Sequence, residues 1–276
     1  MAKATTHNAR ELDEMRVACL LAAETLLMVG ENLQPGMTTD DVNTLVHEFT
    51  LRRGARPAPL GYRGFPKSVC TSLNDVICHG IPDGTVLKNG DILNVDVTPV
   101  LPARGGWHGD TNATFYIGEP SADARHLVEV ARECLERGIA VVQPGATIGD
   151  IGWAIQDHAE SNGCSVVREY TGHGIGRKFH SEPTVRHFGR PGAGLRLRRG
   201  MTFTIEPMIN LGGPACRHLD DGWTVLTRDG ALSAQFEHTV VVTRRGAEVL
   251  TARSAPLKHS EDRPWARLGP LASYTE

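Results

Sequence analysis

Two apolar runs each carry one carboxylate: Asp96 within ILNVDVTPV and Glu206 within TFTIEPMI. A carboxylate buried without a partner is costly, so each position demands a cation, a metal ion or strong hydrogen bonds. Taken singly, either residue also fits a buried ion pair or a strand end facing water. Asp110 in HGDTNATFYI and Glu237 in QFEHTVVVT repeat the pattern, and His173 in TGHGIGRKFH adds an imidazole. Four carboxylates and one histidine form a hard, oxygen-rich set, suited to two divalent ions such as Mn, Fe, Co or Zn. Structural zinc favours thiolates instead. Two ions also explain how several anions share one site, because their charge offsets the mutual repulsion of the carboxylates. The chemistry open to such a pair is hydrolysis.

Other chemistries fit less well. The glycines of TGHGIGRKFH miss the GxGxxG spacing, since Arg177 stands at the third glycine position, and no Lys-Ser or Lys-Thr follows. Glycines around His173 instead let backbone approach a metal or ligand closely. There is no HExxH, GxSxG or SxxK. His79 and His180 sit beside glycine or proline turns, in CHGIP and FHSEP, which suits flanks of a substrate site. The plainer reading is a hydrogen-bonded structural histidine. His108 and His238, next to ligand candidates, could orient those ligands.

The elements that must position these groups alternate in blocks. Apolar residues at three- and four-residue steps predict a helix from Asn8 to Glu31, with Asn8 and Glu11 as a capping box. Further helices are predicted over Thr39–Arg53 (Asp40 or Asp41 suiting the cap), Ala122–Val142 and Ile148–Ser161. Strands are predicted over Ile92–Val97, Thr111–Ile117, Met201–Ile205, Gly222–Leu226 and Gln235–Thr243. The loop from Thr98 to Gly109 can close an antiparallel hairpin that brings Asp96 and Asp110 to one end of a sheet.

An internal repeat ties the blocks together. LQPGMTTDDVNTLVHEF at Leu33 matches VQPGATIGDIGWAIQDH at Val142, and CHGIP faces FHSEP. LKNGDILNVDVTP around Asp96 faces LRRGMTFTIEPMI around Glu206, and the Asp110 segment faces the Glu237 segment. Four matches in one order turn isolated carboxylates into two symmetric pairs. The expected fold class is α+β, with two pseudo-symmetric halves and helices covering an antiparallel sheet.

Bulk properties exclude several classes. A net charge of -3 argues against a nucleic-acid binder with a basic surface, and the arginines at 52, 53 and 56 or 196, 198 and 199 read as solvated faces. The six cysteines form no CxxC, and no signal peptide is evident, so reduced thiols in a cytoplasmic protein are expected. No stretch reaches the length of a membrane span. The segment 251–276 carries three prolines and little periodicity, and is expected to be a flexible extension of a single domain over residues 1–250.

The motifs GYRGFPKSVCTSLNDVICHGIPDG, DILNVDVT, HGDT, TGHGIGRKFHSEP, FTIEPMI and DGWTV with SAQFEHTVVV resemble those of methionine aminopeptidases. Those enzymes share the pita-bread fold with prolidases and creatinase. The resemblance implies that Asp96, Asp110, His173, Glu206 and Glu237 bind two divalent metal ions (Co, Mn, Fe or Zn). It implies that His79 and His180 contact substrate, and that Tyr62, Phe65, Cys70, Phe179 and Trp223 line a methionine pocket. Glu206 then passes a proton from the attacking water to the leaving amine, with His180 on the oxyanion and His79 on the amide nitrogen or nearby backbone. The implied activity is removal of an N-terminal methionine from newly made proteins and peptides, with a small second residue.

The short stretch between His180 and Glu206 lacks the helical insertion of type II enzymes, and the cysteine-rich extension of eukaryotic cytosolic type I enzymes is missing. A bacterial-type or organellar type I form is therefore implied. Nascent chains are the implied partners, the ribosome surface is a candidate contact, and a monomer with no membrane association is expected. The segment PVLPARGGWHG is longer than usual for the family, and the C-terminal tail lies outside its pattern. An Xaa-Pro aminopeptidase shares the ligands, and a non-catalytic pita-bread binding protein is a rival from another class. Such binding relatives typically lose ligands, whereas all five are kept here.

Overall fold

The Thr and Asp that recur after each QPG are helix caps. In the computed structural model, which describes residues 4–252, α1 spans Ala9–Asn32, α2 Thr39–Arg52, α3 Ala122–Ala140 and α4 Ile148–Ser161. The N-cap of α2 is Thr38, and the N-cap of α4 is Thr147. The Asp41 N–H donates to Thr38 Oγ1 at 3.1 Å, and Asp41 Oδ2 accepts from the Thr38 N–H at 2.7 Å. Thr147 and Asp150 repeat this box at 3.3 and 2.7 Å. Neither Asp40 nor Asp41 is the cap itself; Asp41 is its reciprocal partner, three residues into the helix. Asn8 and Glu11 cap α1 as the sequence predicts.

Each half builds an antiparallel ladder, three-stranded in the first and five-stranded in the second, around a central strand that leads to a carboxylate. In the first half Ile92–Val97 lies between Cys70–Leu73 and Thr111–Tyr116, with Asp96 opposite Cys70 on one side and Asn112 on the other. In the second, Thr202–Ile205 lies between Gly172–Gly174 and His238–Val242, with Ile205 opposite His238. α1 packs on the first central strand and Thr111–Tyr116, and α3 packs on Thr202–Ile205, Met208–Asn210 and Ser233–Gln235. One large apolar core runs through both halves and includes Leu26, Phe115, Leu135, Ile155, Phe203 and Phe236. This is the α+β pita-bread architecture.

A seam of buried polar side chains joins the two ladders. Asn94 Nδ2 and Thr114 Oγ1 donate to the Gln235 carbonyl at 2.9 and 2.8 Å. Thr111 Oγ1 donates to the Glu237 carbonyl at 2.7 Å, and Thr239 Oγ1 to the Asp110 carbonyl at 2.8 Å. These bonds satisfy backbone groups that a broken sheet would leave orphaned.

Two strands and one loop differ from the sequence expectation. Gln235–Thr243 is two strands, Ser233–Gln235 and His238–Val242, because the chain leaves the ladder at Phe236 and Glu237 to turn the carboxylate inward. Gly222–Leu226 becomes Val225–Thr227, since Asp221 Oδ1 accepts from the N–H groups of Trp223 and Thr224, both at 2.8 Å, and holds a turn there. The Thr98–Gly109 loop is itself a hairpin, Pro99–Leu101 with Trp107–His108, and its first strand pairs with Arg56–Pro57. Thr251 is buried, its hydroxyl 2.8 Å from His238 Nδ1; the rest of the expected extension, from residue 253, lies outside the described residues.

Gly109 marks the point where this hairpin returns to the site. A Cβ there would lie 2.3 Å from the Ala18 carbonyl oxygen of α1. Gly109→Ala is therefore expected to destabilise the fold by about 3 kcal/mol through forced backbone movement. Urea unfolding checks this, and an unchanged midpoint would show that α1 does not constrain the hairpin.

Candidate active site

The two ladders end against one another, and that junction collects the acidic groups. Asp110 stands one residue before Thr111–Tyr116, and Glu237 one residue before His238–Val242. Glu206 follows Thr202–Ile205 directly, Asp96 is the fifth residue of its strand, and His173 is the middle residue of Gly172–Gly174. The symmetric placement follows from the repeat.

His173 Nε2 lies 3.5 Å from Asp110 Oδ2 and 3.6 Å from Glu206 Oε1. One potential ligand atom each from Asp110, His173 and Glu237 falls within 4.8 Å of the others. Neutral donors hold the carboxylates in place. Thr98 Oγ1 donates to Asp110 Oδ1 at 2.8 Å, Asn112 Nδ2 to Glu237 Oε2 at 2.9 Å, and Thr204 Oγ1 to Glu206 Oε1 at 2.6 Å. Gln235 Nε2 reaches Glu206 Oε2 at 3.3 Å.

Among the described residues no lysine or arginine forms an ion pair with these carboxylates. Burial first, then the charges of Asp110 and Glu206, push the Asp96 carboxyl well above the usual range. Glu237 is pushed up by burial and then by Asp110, Glu206 and Asp96. Burial also raises Glu206 to about 7, against the lowering influence of His173 and Thr204. Burial pulls His173 down, but the hydrogen bond to Asp110 and the charges of Glu206 and Asp110 outweigh it and leave the imidazole raised. Asp96 Oδ1 is buried with no hydrogen-bond partner among the described residues. An orphaned acceptor amid mutually repelling carboxylates is what a site for hard cations presents, and the donor set fits divalent ions.

The five acidic-set residues, His79, His180 and the five expected pocket residues line one cavity of about 340 Å³, whereas His108 and His238 do not line it. Its acidic wall is the five-residue set. An aromatic wall faces it: Tyr62 stacks on His180 at 5.2 Å between centroids, and Phe179 lies 5.0 Å from Tyr62. Phe65 meets Trp223 edge-on at 5.1 Å, and Trp223 lies 6.0 Å from His79. Cys70 is buried beside Asp96 in register, and its thiol is pushed well up by burial and then by Asp96. The thiol thus acts as a small apolar surface.

His79 and His180 also line the cavity. Burial and then His173 hold His79 at about 4 and His180 at about 3, so both rings are neutral near pH 7 and serve as hydrogen-bonding groups. His79 has φ of 57°, a left-handed conformation that is rare outside glycine. The next residue, Gly80, passes so near the Thr71 carbonyl that a Cβ would lie 2.1 Å from it. His108 stacks on Phe179 at 5.4 Å and bonds the Gly176 carbonyl through Nδ1, so it braces the aromatic wall. His238 Nδ1 faces Thr251 Oγ1.

Sequence reasoning missed Thr98, Asn112, Thr204 and Gln235, although each is a polar residue in an apolar strand or at its edge, the signal that found Asp96. It also missed Tyr170 and Met208, which line the same cavity. His187, whose Nε2 accepts from the Glu206 N–H at 3.1 Å, carried no local signal.

Residues 13–244 match the model of metallopeptidase family M24. The chain belongs to metallopeptidase family M24. Within that family it is similar to methionine aminopeptidase A of Synechocystis, at 56% identity over 88% of this chain and 95% of the relative. The crystal structure of methionine aminopeptidase from Rickettsia prowazekii superposes with a TM-score of 0.88 at 50% identity, covering 90% of this chain and all of that one. Prolidase from Pyrococcus furiosus shares the fold at a TM-score of 0.72 and 19% identity. This M24 chain is thus a divalent-metal peptidase. Its described residues contain no helix long and apolar enough to cross a membrane.

Proposed function

We propose that this M24 peptidase removes the N-terminal methionine from newly made proteins and peptides, favouring a small second residue. The observation that carries the reading is one cavity with an acidic, cation-demanding wall opposite an aromatic and thiol-lined one. Asp96, Asp110, His173, Glu206 and Glu237 are the residues that would hold a pair of divalent ions. When bound, the ions supply Lewis acidity at the scissile carbonyl and make water acidic near neutral pH.

The chain's own side chains do the rest. Glu206, fixed through Thr204 and Gln235, takes the proton of the attacking water and returns it to the leaving amine. His180 donates to the developing oxyanion. His79 holds the amide nitrogen or the backbone beside it. Tyr62, Phe65, Cys70, Phe179 and Trp223 enclose the methionine side chain, which gains by leaving water for apolar surface. The carboxylates also attract the free amino terminus, which restricts cleavage to the chain end. The reading carries with it a monomer acting in the cytoplasm, with the ribosome surface as a candidate contact.

The test compares peptides. Met-Ala-Ser is expected to be cleaved at least about 100-fold more efficiently than an Xaa-Pro peptide of equal length, since a pocket shaped for one group rejects a misfit by such factors. Preferential release of the residue before proline would assign the chain to the prolidase-like branch instead.

A further inference from the structure

Thr204 and Gln235 hold the Glu206 carboxylate, Gln235 Nε2 also reaches the Glu206 carbonyl at 3.2 Å, and one further hold falls on its N–H. Glu206 lies one residue beyond the end of Thr202–Ile205 and is followed by Pro207, which has no N–H to give. Its partner in the repeat, Asp96, lies inside a strand with Cys70 and Asn112 as neighbours on either side. The ladder therefore fixes the Asp96 backbone but stops short of Glu206.

His187 stands where the ladder partner is missing. Its Nε2 accepts from the Glu206 N–H at 3.1 Å, and the residue is fully buried at 0% exposure. An imidazole that accepts at Nε2 and is neutral carries its proton on Nδ1. The Nδ1 atom is buried and has no hydrogen-bond partner among the described residues. A histidine kept in the interior with one nitrogen unsatisfied is a liability for folding alone, and calls for another explanation.

The segment bearing His187 is itself clamped to α4. The Gly189 N–H donates to Gln156 Oε1 at 3.2 Å and the Gly192 N–H to Asp150 Oδ1 at 2.7 Å. Gly149 and Gly152 of α4 let this segment lie flush on the helix: a Cβ on either would come within 2.3 Å of the Arg190 oxygen or 2.4 Å of the Phe188 oxygen. The ring is thereby aimed at Glu206 from a rigid element.

We propose that His187 is a positioning residue, whose Nε2 replaces the absent ladder partner and fixes the Glu206 peptide so that its carboxylate points into the cavity. The inference rests on Glu206 being the proton carrier. His187→Leu keeps the bulk and removes the acceptor, whereas His187→Gln keeps an acceptor near the Nε2 position. With metal saturating and Met-Ala-Ser as substrate, His187→Leu is expected to lower kcat about 10- to 100-fold, as a small misplacement of a reacting group does. KM should change little, and His187→Gln should recover most of the loss. Equal activity of the two variants would overturn the proposal.

A second measurement needs no variant to be active. Nitrogen-15 NMR of the histidine rings in the wild-type protein should show His187 protonated on Nδ1, and a proton on Nε2 would overturn the proposal even if His187→Leu does not fold. Failure of the parent reading looks different: Glu206→Gln would then retain its activity whatever the His187 variants do.

Discussion

At saturating metal, Glu206→Gln is expected to lower kcat for Met-Ala-Ser about 10²- to 10⁴-fold, the range for losing a positioned general base. The change is nearly isosteric. The amide that replaces the carboxylate would keep an oxygen for the Thr204 hydroxyl, and that oxygen remains able to approach a cation. What disappears is the group that accepts a proton from water and returns it to the leaving amine. Because Glu206 is also a proposed metal ligand, the assay belongs at the plateau of a metal titration, where weakened binding no longer limits the rate. Cleavage within a few-fold of wild type on that plateau would remove Glu206 from the proton path.

The second large effect concerns affinity. His173→Ala deletes the one nitrogen donor of the acidic set and leaves Asp110 and Glu206 without the imidazole that lies 3.5 and 3.6 Å from them. Altering a group that merely orients a metal ligand costs roughly 10- to 100-fold in affinity, so loss of the ligand itself should weaken Mn²⁺ or Co²⁺ binding by at least about 100-fold. Stability reports the same event. A ligand at 100 times its dissociation constant stabilises by about 2.7 kcal/mol. In a chain of this size each kcal/mol moves the midpoint by about 2–4 °C, so wild type should gain about 5–10 °C at that metal concentration. His173→Ala should gain almost nothing. Equal shifts in both proteins would show that the ions bind elsewhere.

The polar contacts of the site explain what could be read from the sequence. Asp96 and Glu206 stood out because a carboxylate in an apolar strand is conspicuous, and the repeat paired them before any geometry was known. Apolar steps of three and four residues located the helices, but the cap of the second fell to Thr38 with Asp41 as its partner rather than to Asp40 or Asp41. The seam was not legible. Asn94, Thr114 and Gln235 meet across more than a hundred residues of chain, and nothing local says which backbone groups a broken sheet leaves to be satisfied. His187 escaped for the same reason: its partner is a backbone N–H, which has no sequence signature. The break at Phe236 and Glu237 was hidden because the flanking residues are β-formers, and the inward turn is decided by the site rather than by propensity.

The most direct test of the whole reading strips the protein with a chelator, returns Mn, Fe, Co or Zn one at a time, and measures free methionine released from Met-Ala-Ser. The stripped protein should release none above background, and at least one returned ion should restore release of methionine alone, with Ala-Ser as the other product. Undiminished cleavage by the stripped protein, or no cleavage with any of these ions, would contradict the assignment.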